Sequence, residues 1–203
     1  FQLDLLQKQA VEEALTKGVV VVTGGPGTGK TTTINLMIRC FEMEKMDIVL
    51  AAPTGRAAKR MTEATGYEAK TIHRLLEVSG GIEDGDSSHF EKNEDNPIEA
   101  DAVILDEMSM VDIHLMYSLL KAIVPGTRLI LVGDSSQLPS VGPGQLLKDM
   151  IDSKMIHTVE LKQLYRQSSG SNIITLAYQI KDDCLEQDIF NVCLLYTSPS
   201  PRD

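Results

Sequence analysis

The sequence predicts an α/β fold in which a parallel β-sheet is covered on both faces by helices. Short, wholly apolar runs alternate along the chain with segments whose apolar residues recur at helical spacing. Strands that show no polar alternation are buried on both faces, as the strands of parallel sheets are. The length of 203 residues suits one α/β domain with a short piece of another.

The first half of the chain supplies the opening elements of this pattern. Residues 3–15 form a predicted helix, because six apolar residues recur there at helical spacing, and the helix ends at Gly18. Residues 19–22 are four consecutive valines, which indicate a buried strand. The next predicted elements are helices over residues 31–44, 56–63 and 71–77, and a strand over residues 48–51.

The second half continues the alternation after an acidic segment. Eight acids and one lysine lie between Glu83 and Asp101, so this segment accounts for most of the net charge of −10. Its glycine, serine, asparagine and proline content predicts a surface loop or insertion over about residues 79–100. The elements predicted after it are strands 102–105, 128–132 and 157–161, and helices 113–123, 144–151 and 172–180.

Composition excludes several classes of protein. The apolar fraction of 42% excludes a disordered chain, and no apolar run is long enough to span a membrane. Cys40, Cys184 and Cys193 form no C-x-x-C pair, so neither a zinc cluster nor a disulfide framework is predicted, and a reducing cytoplasm is expected. Net acidity weakens a nucleic-acid interpretation without excluding it, because most of it belongs to one solvated segment.

The two ends of the chain read as incomplete. The sequence opens at Phe1, inside a predicted helix, and its last eleven residues, CLLYTSPSPRD, resemble a translated sequencing adapter rather than a protein tail. We therefore expect the genuine sequence to stop near Val192, with residues 193–203 set aside from fold reasoning.

A glycine-rich turn gives the strongest functional signal. GGPGTGKT, residues 24–31, fits G-x-x-x-x-G-K-[ST] and lies between a predicted strand and a predicted helix, as the motif requires. Its glycines let successive N–H groups surround a polyanion, and the helix that follows adds its partial positive end. Lys30 is expected to neutralise the β- and γ-phosphates of a nucleotide, and the Thr31 hydroxyl to ligate Mg²⁺.

Polar residues follow two further strands. Asp106 and Glu107 end the apolar run 103–105; Asp106 can hold the Mg²⁺ shell, and Glu107 can polarise a water molecule for attack on the γ-phosphate. Strand 129–132 ends in GDSSQLP, where Gln137 could contact the γ-phosphate. Taken alone, that segment is more typical of an Asx turn that closes a strand.

Together these segments resemble superfamily 1 DNA helicases, most closely the RecD-like branch. Seven segments carry the resemblance in the family's order and cover most of residues 3–167. They are LDLLQKQAVEEAL, TGGPGTGKTTT, AAPTGRAAKRM, TIHRLL, ILDEMSMVD, LVGDSSQLPSVGPGQLL and LKQLYRQ. The resemblance implies a RecA-like P-loop NTPase fold, ATP and Mg²⁺ as cofactors, and hydrolysis of ATP coupled to 5′-to-3′ movement on single-stranded DNA in recombination or repair.

The resemblance also implies roles for individual residues. Gln9 resembles a glutamine that reads adenine, Gln137 a γ-phosphate sensor, and Arg166 an arginine finger. The implied nucleotide contacts are Gln9, Gly24, Gly25, Pro26, Gly27, Thr28, Gly29, Lys30, Thr31 and Thr32. The implied contacts with single-stranded DNA are Pro53, Thr54, Gly55, Thr71, His73, Ser140 and Val141.

The family arrangement sets an expected domain organisation. Residues 1–160 correspond to a first RecA-like lobe and residues 161–192 to the start of a second. With most of that second lobe missing, we expect this chain by itself to bind nucleotide weakly and to hydrolyse it slowly or not at all.

Residues 62–70 or the acidic stretch after Glu77 could supply the family's strand-separating hairpin, the pin. Expected partners are single-stranded DNA, duplex junctions and the subunits of a nuclease–helicase complex, with no membrane.

Two other classes of function stay open at this point. A P-loop ATPase or kinase acting on proteins or small molecules would carry a signature or lid in place of APTGRAAKRM, and none is visible. A subunit that binds DNA without unwinding it is also possible, although intact Lys30, Asp106, Glu107 and Arg166 argue against decay of the site.

Overall fold

A six-stranded parallel sheet forms the centre of the protein. The computed structural model describes residues 4–79, 89–137 and 144–163. The strands are β1 (Val19–Thr23), β2 (Ile48–Ala52), β3 (Ala69–Thr71), β4 (Val78–Ser79), β5 (His89–Phe90), β6 (Ala102–Leu105), β7 (Arg128–Gly133) and β8 (His157–Glu160). The central sheet has the order β3-β2-β6-β7-β1-β8, and every neighbouring pair is parallel. The predicted α/β class is therefore confirmed.

Helices connect successive strands of this sheet. They are α1 (Leu5–Thr16), α2 (Lys30–Met43), α3 (Gly55–Thr65), α4 (Ile72–Leu75), α5 (Ile113–Ala122) and α6 (Leu146–Ser153), with a 3₁₀ turn at Met108–Met110. Side chains of Asp4, Thr54, Thr71 and Asp112 cap four of them by accepting backbone N–H groups. Among the described residues, none of these helices is long and apolar enough to cross a membrane.

Two apolar layers cover the two faces of the sheet. Alternate residues of a strand point to opposite faces, and in β6 Ala102 and Ile104 join one buried cluster while Val103 and Leu105 join the other. Helices α1, α2 and α3 pack in the first cluster, and α4, α5 and α6 in the second. The sheet is thus buried on both sides, as the unbroken apolar runs predicted.

The edge strand β3 was not predicted. Its three residues are Ala-Lys-Thr, which lack the β-branched apolar pattern of the central strands, and they are half-buried or exposed. The helix predicted over residues 71–77 is shorter than expected and occupies Ile72–Leu75, with Thr71 as its N-cap. The helix predicted over residues 172–180 lies outside the described residues.

The described part of the acidic segment is a loop that returns to the core. Asn93 closes a turn by accepting N–H groups from Asp95 and Asn96 at 2.9 and 3.2 Å. Ile98 is then buried, and its N–H donates to the carbonyl oxygen of Ala122 at 2.7 Å. The predicted surface insertion is therefore anchored at its far end by a buried isoleucine.

The two candidate positions for a pin differ in secondary structure. Residues 62–70 are taken up by the end of α3 and by β3, and the Thr62 hydroxyl accepts the N–H of Ala69 at 2.9 Å. The stretch after Glu77 instead contains β4 and β5, which pair antiparallel outside the central sheet. Of the two positions, only the second contains an antiparallel strand pair in the described chain.

Candidate nucleotide-binding site

Three predicted segments meet at one edge of the central sheet. In register, Thr23 at the end of β1 pairs with Gly133 at the end of β7, and Leu105 at the end of β6 pairs with Leu131. Because the strands are parallel, the chain leaves all three at the same edge, where α/β proteins bind ligands. The segments that follow are residues 24–31 (the phosphate loop), residues 106–107 (the acid pair) and residues 134–137 (the Gln137 turn).

The phosphate loop is built for close approach of an anion. Gly27 and Gly29 have φ values of 81° and 86°, in the left-handed region that glycine adopts without strain. Gly29 is the N-cap of α2, and no side chain caps the first turn of this helix. The free N–H groups and the positive end of the α2 dipole are therefore available to a bound phosphate.

Gly24 fits too tightly to carry a side chain. A Cβ atom placed there would lie 2.5 Å from the Thr28 hydroxyl oxygen and 2.9 Å from the backbone oxygen of Leu161. The Gly24 N–H also donates to the Gly133 carbonyl oxygen at 3.2 Å, so the loop cannot shift without losing its bond to β7.

We predict that Gly24→Ala displaces the phosphate loop. The clash with backbone should lower the free energy of unfolding by about 1–3 kcal/mol and abolish nucleotide binding. Gly18→Ala is the matched control, because a Cβ at Gly18 meets nothing within 4 Å. Chemical denaturation and nucleotide titration of both variants test this; equal unfolding free energies for the two would contradict the close packing at Gly24.

The Lys30 amine rests inside the phosphate loop. Its Nζ donates to the carbonyl oxygens of Gly24 and Gly25, at 2.5 and 3.0 Å. Burial lowers the pKa of Lys30, and the negative charges of Asp134, Asp106 and Glu107 oppose that lowering. One ammonium therefore lies in the field of three carboxylates, which is the charge arrangement expected around a Mg²⁺-bound triphosphate.

The acid pair follows β6 directly. Burial raises the pKa of Asp106, and so does the negative charge of Glu107. Two other influences lower this pKa: the N–H of Glu107, which donates to Asp106 Oδ1 at 2.8 Å, and the positive charge of Lys30. Glu107 adopts φ 56° and ψ 41°, a left-handed conformation that is rare for a residue with a side chain. Such strain is concentrated at functional positions in proteins.

The donors around the loop fit a magnesium ion. Thr31 and Thr32 are exposed on the first turn of α2, and Asp106 is half-buried across the cleft. Among the described residues, no three His, Cys, Asp or Glu side chains cluster closely enough to hold a metal by themselves. One hydroxyl and one carboxylate are the oxygen donors that Mg²⁺ uses when phosphate oxygens and water complete its shell.

Asp134 is a site residue that sequence reasoning did not single out. Its side chain is 4% exposed, and it is the largest of the three carboxylate influences on Lys30. The Asx turn considered from the sequence is present, since the N–H of Ser136 donates to Asp134 Oδ1 at 2.9 Å. The signal available in the sequence was that Asp134 follows a third predicted apolar strand.

The structure places Gln7, rather than Gln9, against the phosphate loop. Gln9 is exposed, and its Nε2 donates to Glu13 Oε1 at 2.9 Å. Gln7 is 3% exposed, and its Nε2 lies 3.5 Å from the carbonyl oxygen of Gly29. The adenine-reading role of Gln9 stays a prediction, and on α1 it is the face that carries Gln7 that turns toward the loop.

The predicted DNA contacts from the first half of the chain form one group. Pro53, Thr54 and Gly55 follow β2, and Ala52 at the end of β2 pairs with Thr71 at the end of β3. His73 is exposed, with its ring centroid 6.0 Å from that of Phe90. Exposed cations lie close to these residues in the chain: Arg56, Lys59, Arg60, Lys70 and Arg74. Ser140, Val141 and Arg166 lie outside the described residues.

Comparisons with known proteins show which family this chain is similar to. A family model described as an AAA domain matches residues 7–143. An ATP-dependent RecD2 DNA helicase from Deinococcus radiodurans is 40% identical over 172 residues, covering 85% of this chain and 23% of that protein. A RecBCD enzyme subunit RecD from Mycobacterium tuberculosis is 39% identical over 200 residues, covering 86% of this chain and 34% of that protein. The chain thus spans about a quarter to a third of these relatives.

A solved structure shares the fold. The crystal structure of Bacteroides Pif1 bound to ssDNA superposes with a TM-score of 0.67 at 21% identity, covering all of this chain and 51% of that chain. At this level of identity the match concerns the fold alone, and it supports the RecA-like architecture predicted from the order of the motifs.

Proposed function

Since this chain belongs to the AAA-domain family and to its RecD-like superfamily 1 helicase branch, we propose that it supplies the ATP-binding lobe of an ATP-dependent DNA helicase. The observation that carries the proposal is the Lys30 ammonium in the common field of Asp106, Glu107 and Asp134 at one sheet edge. A motor that hydrolyses ATP needs that cation, a metal-binding acid and a general base within one cleft.

Each side chain of the cleft then has a distinct task. Lys30 leaves its carbonyl partners to neutralise the β- and γ-phosphates. Thr31 and Asp106 would hold Mg²⁺, and the bound ion would supply neutralisation of developing charge. Glu107 orients and deprotonates the attacking water molecule. Gln137 contacts the γ-phosphate, and Gln7 takes the adenine-reading role that the sequence suggested for Gln9.

The DNA strand passes over the group formed by Pro53–Gly55, Thr71 and His73. Backbone N–H groups and hydroxyls there bind phosphates without reading sequence, and the arginines and lysines close to them in the chain supply the electrostatic attraction. The antiparallel pair of β4 and β5 is the element that serves as the pin. Movement along the strand is 5′-to-3′ on the resemblance to the RecD-like branch.

The arrangement of lobes is part of the same proposal. Residues 1–160 correspond to the first motor lobe and residues 161–192 to the start of the second, and Arg166 keeps the role of arginine finger that the resemblance implies. The resemblance adds duplex junctions and the subunits of a nuclease–helicase complex as candidate partners, and one relative is named as a subunit of the RecBCD enzyme.

The proposal predicts ATP hydrolysis that responds to DNA. With protein in excess over labelled ATP, so that slow turnover is measurable, single-stranded DNA should increase the rate of phosphate release. A chain that hydrolyses ATP equally with and without DNA is instead an ATPase of another class, and a chain that binds DNA without hydrolysis is an accessory subunit.

The role of the exposed arginines on α3 is tested by DNA titrations at several salt concentrations. The double variant Arg56→Ala, Arg60→Ala should weaken DNA binding and lower the slope of log affinity against log salt by about two units. Arg39→Ala is the matched control, because Arg39 is an exposed arginine on α2. Unchanged salt dependence in the double variant would place the DNA path elsewhere.

A further inference from the structure

The side chain of Gln137 is held by a residue to which the proposed mechanism gives no role. Gln137 is exposed at the end of its turn, and its Oε1 accepts a hydrogen bond from the Ser109 hydroxyl at 3.1 Å. Ser109 lies on the 3₁₀ turn Met108–Met110, directly after the acid pair. A single bond therefore joins the turn after β7 to the turn after β6 across the mouth of the site.

The backbone is held in place at both ends of the hydrogen bond between Ser109 and Gln137. Met108 is fully buried, and an added Cβ at Gly133 would lie 3.1 Å from the Met108 nitrogen and 2.8 Å from Leu147 Cδ2. On the other side, the N–H of Gln137 donates to the carbonyl oxygen of Asp134 at 3.2 Å. The two backbones are packed in place, so the Ser109 hydroxyl governs the one part that can rotate, the Gln137 side chain.

A second link ties the Gln137 turn to the strand that precedes the phosphate loop. The N–H of Ser135 donates to Thr23 Oγ1 at 3.2 Å, and the Thr23 hydroxyl lies the same distance from Ser135 Oγ. The Ser136 hydroxyl donates to Asp134 Oδ1 at 2.6 Å. The turn is therefore rigid relative to the loop that binds phosphate, and a defined orientation of Gln137 is a defined orientation toward the nucleotide.

The hydrogen bond from Ser109 occupies one end of the Gln137 amide, and the two ends of an amide differ in hydrogen bonding. A glutamine amide has an accepting end, Oε1, and a donating end, Nε2, whereas phosphate oxygens only accept. With Oε1 engaged by a hydroxyl, Nε2 is the end left for a bound anion, and a reversed amide would set its oxygen against the phosphate. We propose that Ser109 is a positioning residue that orients Gln137 so that its N–H group faces the γ-phosphate.

This inference rests on the proposed function and predicts a specific pattern of affinities. Ser109→Ala should weaken binding of the ATP analogue AMP-PNP with Mg²⁺ by about fivefold, because an unanchored side chain samples several rotamers and both amide orientations, of which only a fraction present Nε2 to the γ-phosphate. ADP has no γ-phosphate, so its affinity should be unchanged. Ser109→Thr keeps the hydroxyl and should restore the wild-type ratio of the two affinities.

A double-mutant cycle separates positioning from local stability. Gln137→Ala should produce at least this loss for AMP-PNP, and adding Ser109→Ala to it should produce no further loss, because Ser109 acts through Gln137. Ser118→Ala is the matched control, since the Ser118 hydroxyl donates to the His114 carbonyl oxygen at 3.0 Å on the surface of α5. Thermal unfolding of each variant verifies that the fold is retained.

The outcomes distinguish this inference from the function on which it rests. Equal loss of ADP and AMP-PNP in Ser109→Ala, or an additional loss in the Gln137→Ala background, would overturn the positioning role while the nucleotide site stands. Wild-type protein that binds neither nucleotide would overturn the proposed function, and the role of Ser109 with it.

Discussion

Replacing Glu107 by glutamine is expected to lower the single-turnover rate of ATP hydrolysis by about 10²–10⁴-fold while leaving ATP bound. A glutamine has the size of the glutamate but cannot accept a proton from the attacking water molecule. Binding should survive because Lys30 and the phosphate loop are unchanged, and loss of one negative charge near Lys30 favours the anionic nucleotide. Phosphate release and nucleotide affinity, measured on the same samples, separate the two effects.

A second glutamate provides the control for this experiment. Glu12 lies exposed on α1, and Glu12→Gln removes the same charge away from the cleft, so its rate should equal that of the wild type. If Glu107→Gln hydrolyses ATP as fast as Glu12→Gln, then Glu107 is not the general base. The left-handed backbone at Glu107 would then be a requirement of the turn after β6 alone.

The central strands were predictable because burial on both faces of the sheet requires consecutive apolar residues in the sequence. Four valines in β1 and the run Ala-Val-Ile-Leu in β6 admit no polar residue, since each face packs on helices. The edge strand β3 carries a lysine and is only partly covered, so its pattern does not differ from that of a loop. Its pairing with β2 depends on the position of α3, which local sequence does not specify.

The site was predicted where its residues are adjacent in sequence and missed where they are not. The phosphate loop and the acid pair are contiguous motifs, so their chemistry could be identified without coordinates. Gln7 and Gln9 look alike in sequence, but Gln7 lies at helical spacing from Ala10 and Ala14, which are buried. That periodicity makes Gln7 the inward-facing glutamine, whereas the family resemblance was carried over to Gln9.

Asp134 illustrates the opposite case. A strand followed by Gly-Asp-Ser-Ser is typical of an Asx turn, and this turn does form. The influence of Asp134 on Lys30 arises because β7 lies directly beside β1, a neighbour relation that the chain order of the strands does not reveal. Its second role follows from topology and could not be predicted from the local pattern.

Replacing Lys30 by alanine is expected to lower ATP hydrolysis by about 10²–10³-fold and to weaken nucleotide binding, with the fold intact. Within the described part of the chain, the amine donates only to carbonyl oxygens of its own loop, so its removal breaks no ion pair there. Three carboxylates then face the triphosphate without their cation, and electrostatic repulsion opposes binding. Lys17→Ala on the exposed end of α1 is the control for the loss of one lysine.

A second readout of Lys30→Ala is independent of nucleotide. The positive charge of Lys30 lowers the pKa of Asp106, against a burial effect that raises it. Removing that charge should therefore raise the pKa of Asp106 further, so that its carboxyl group titrates at higher pH in carbon NMR spectra. The Lys17→Ala protein should titrate like the wild type. An unchanged Asp106 titration in Lys30→Ala would mean that the two groups do not share one electrostatic environment, and a cleft without that shared field could not assemble a Mg²⁺-bound triphosphate between them.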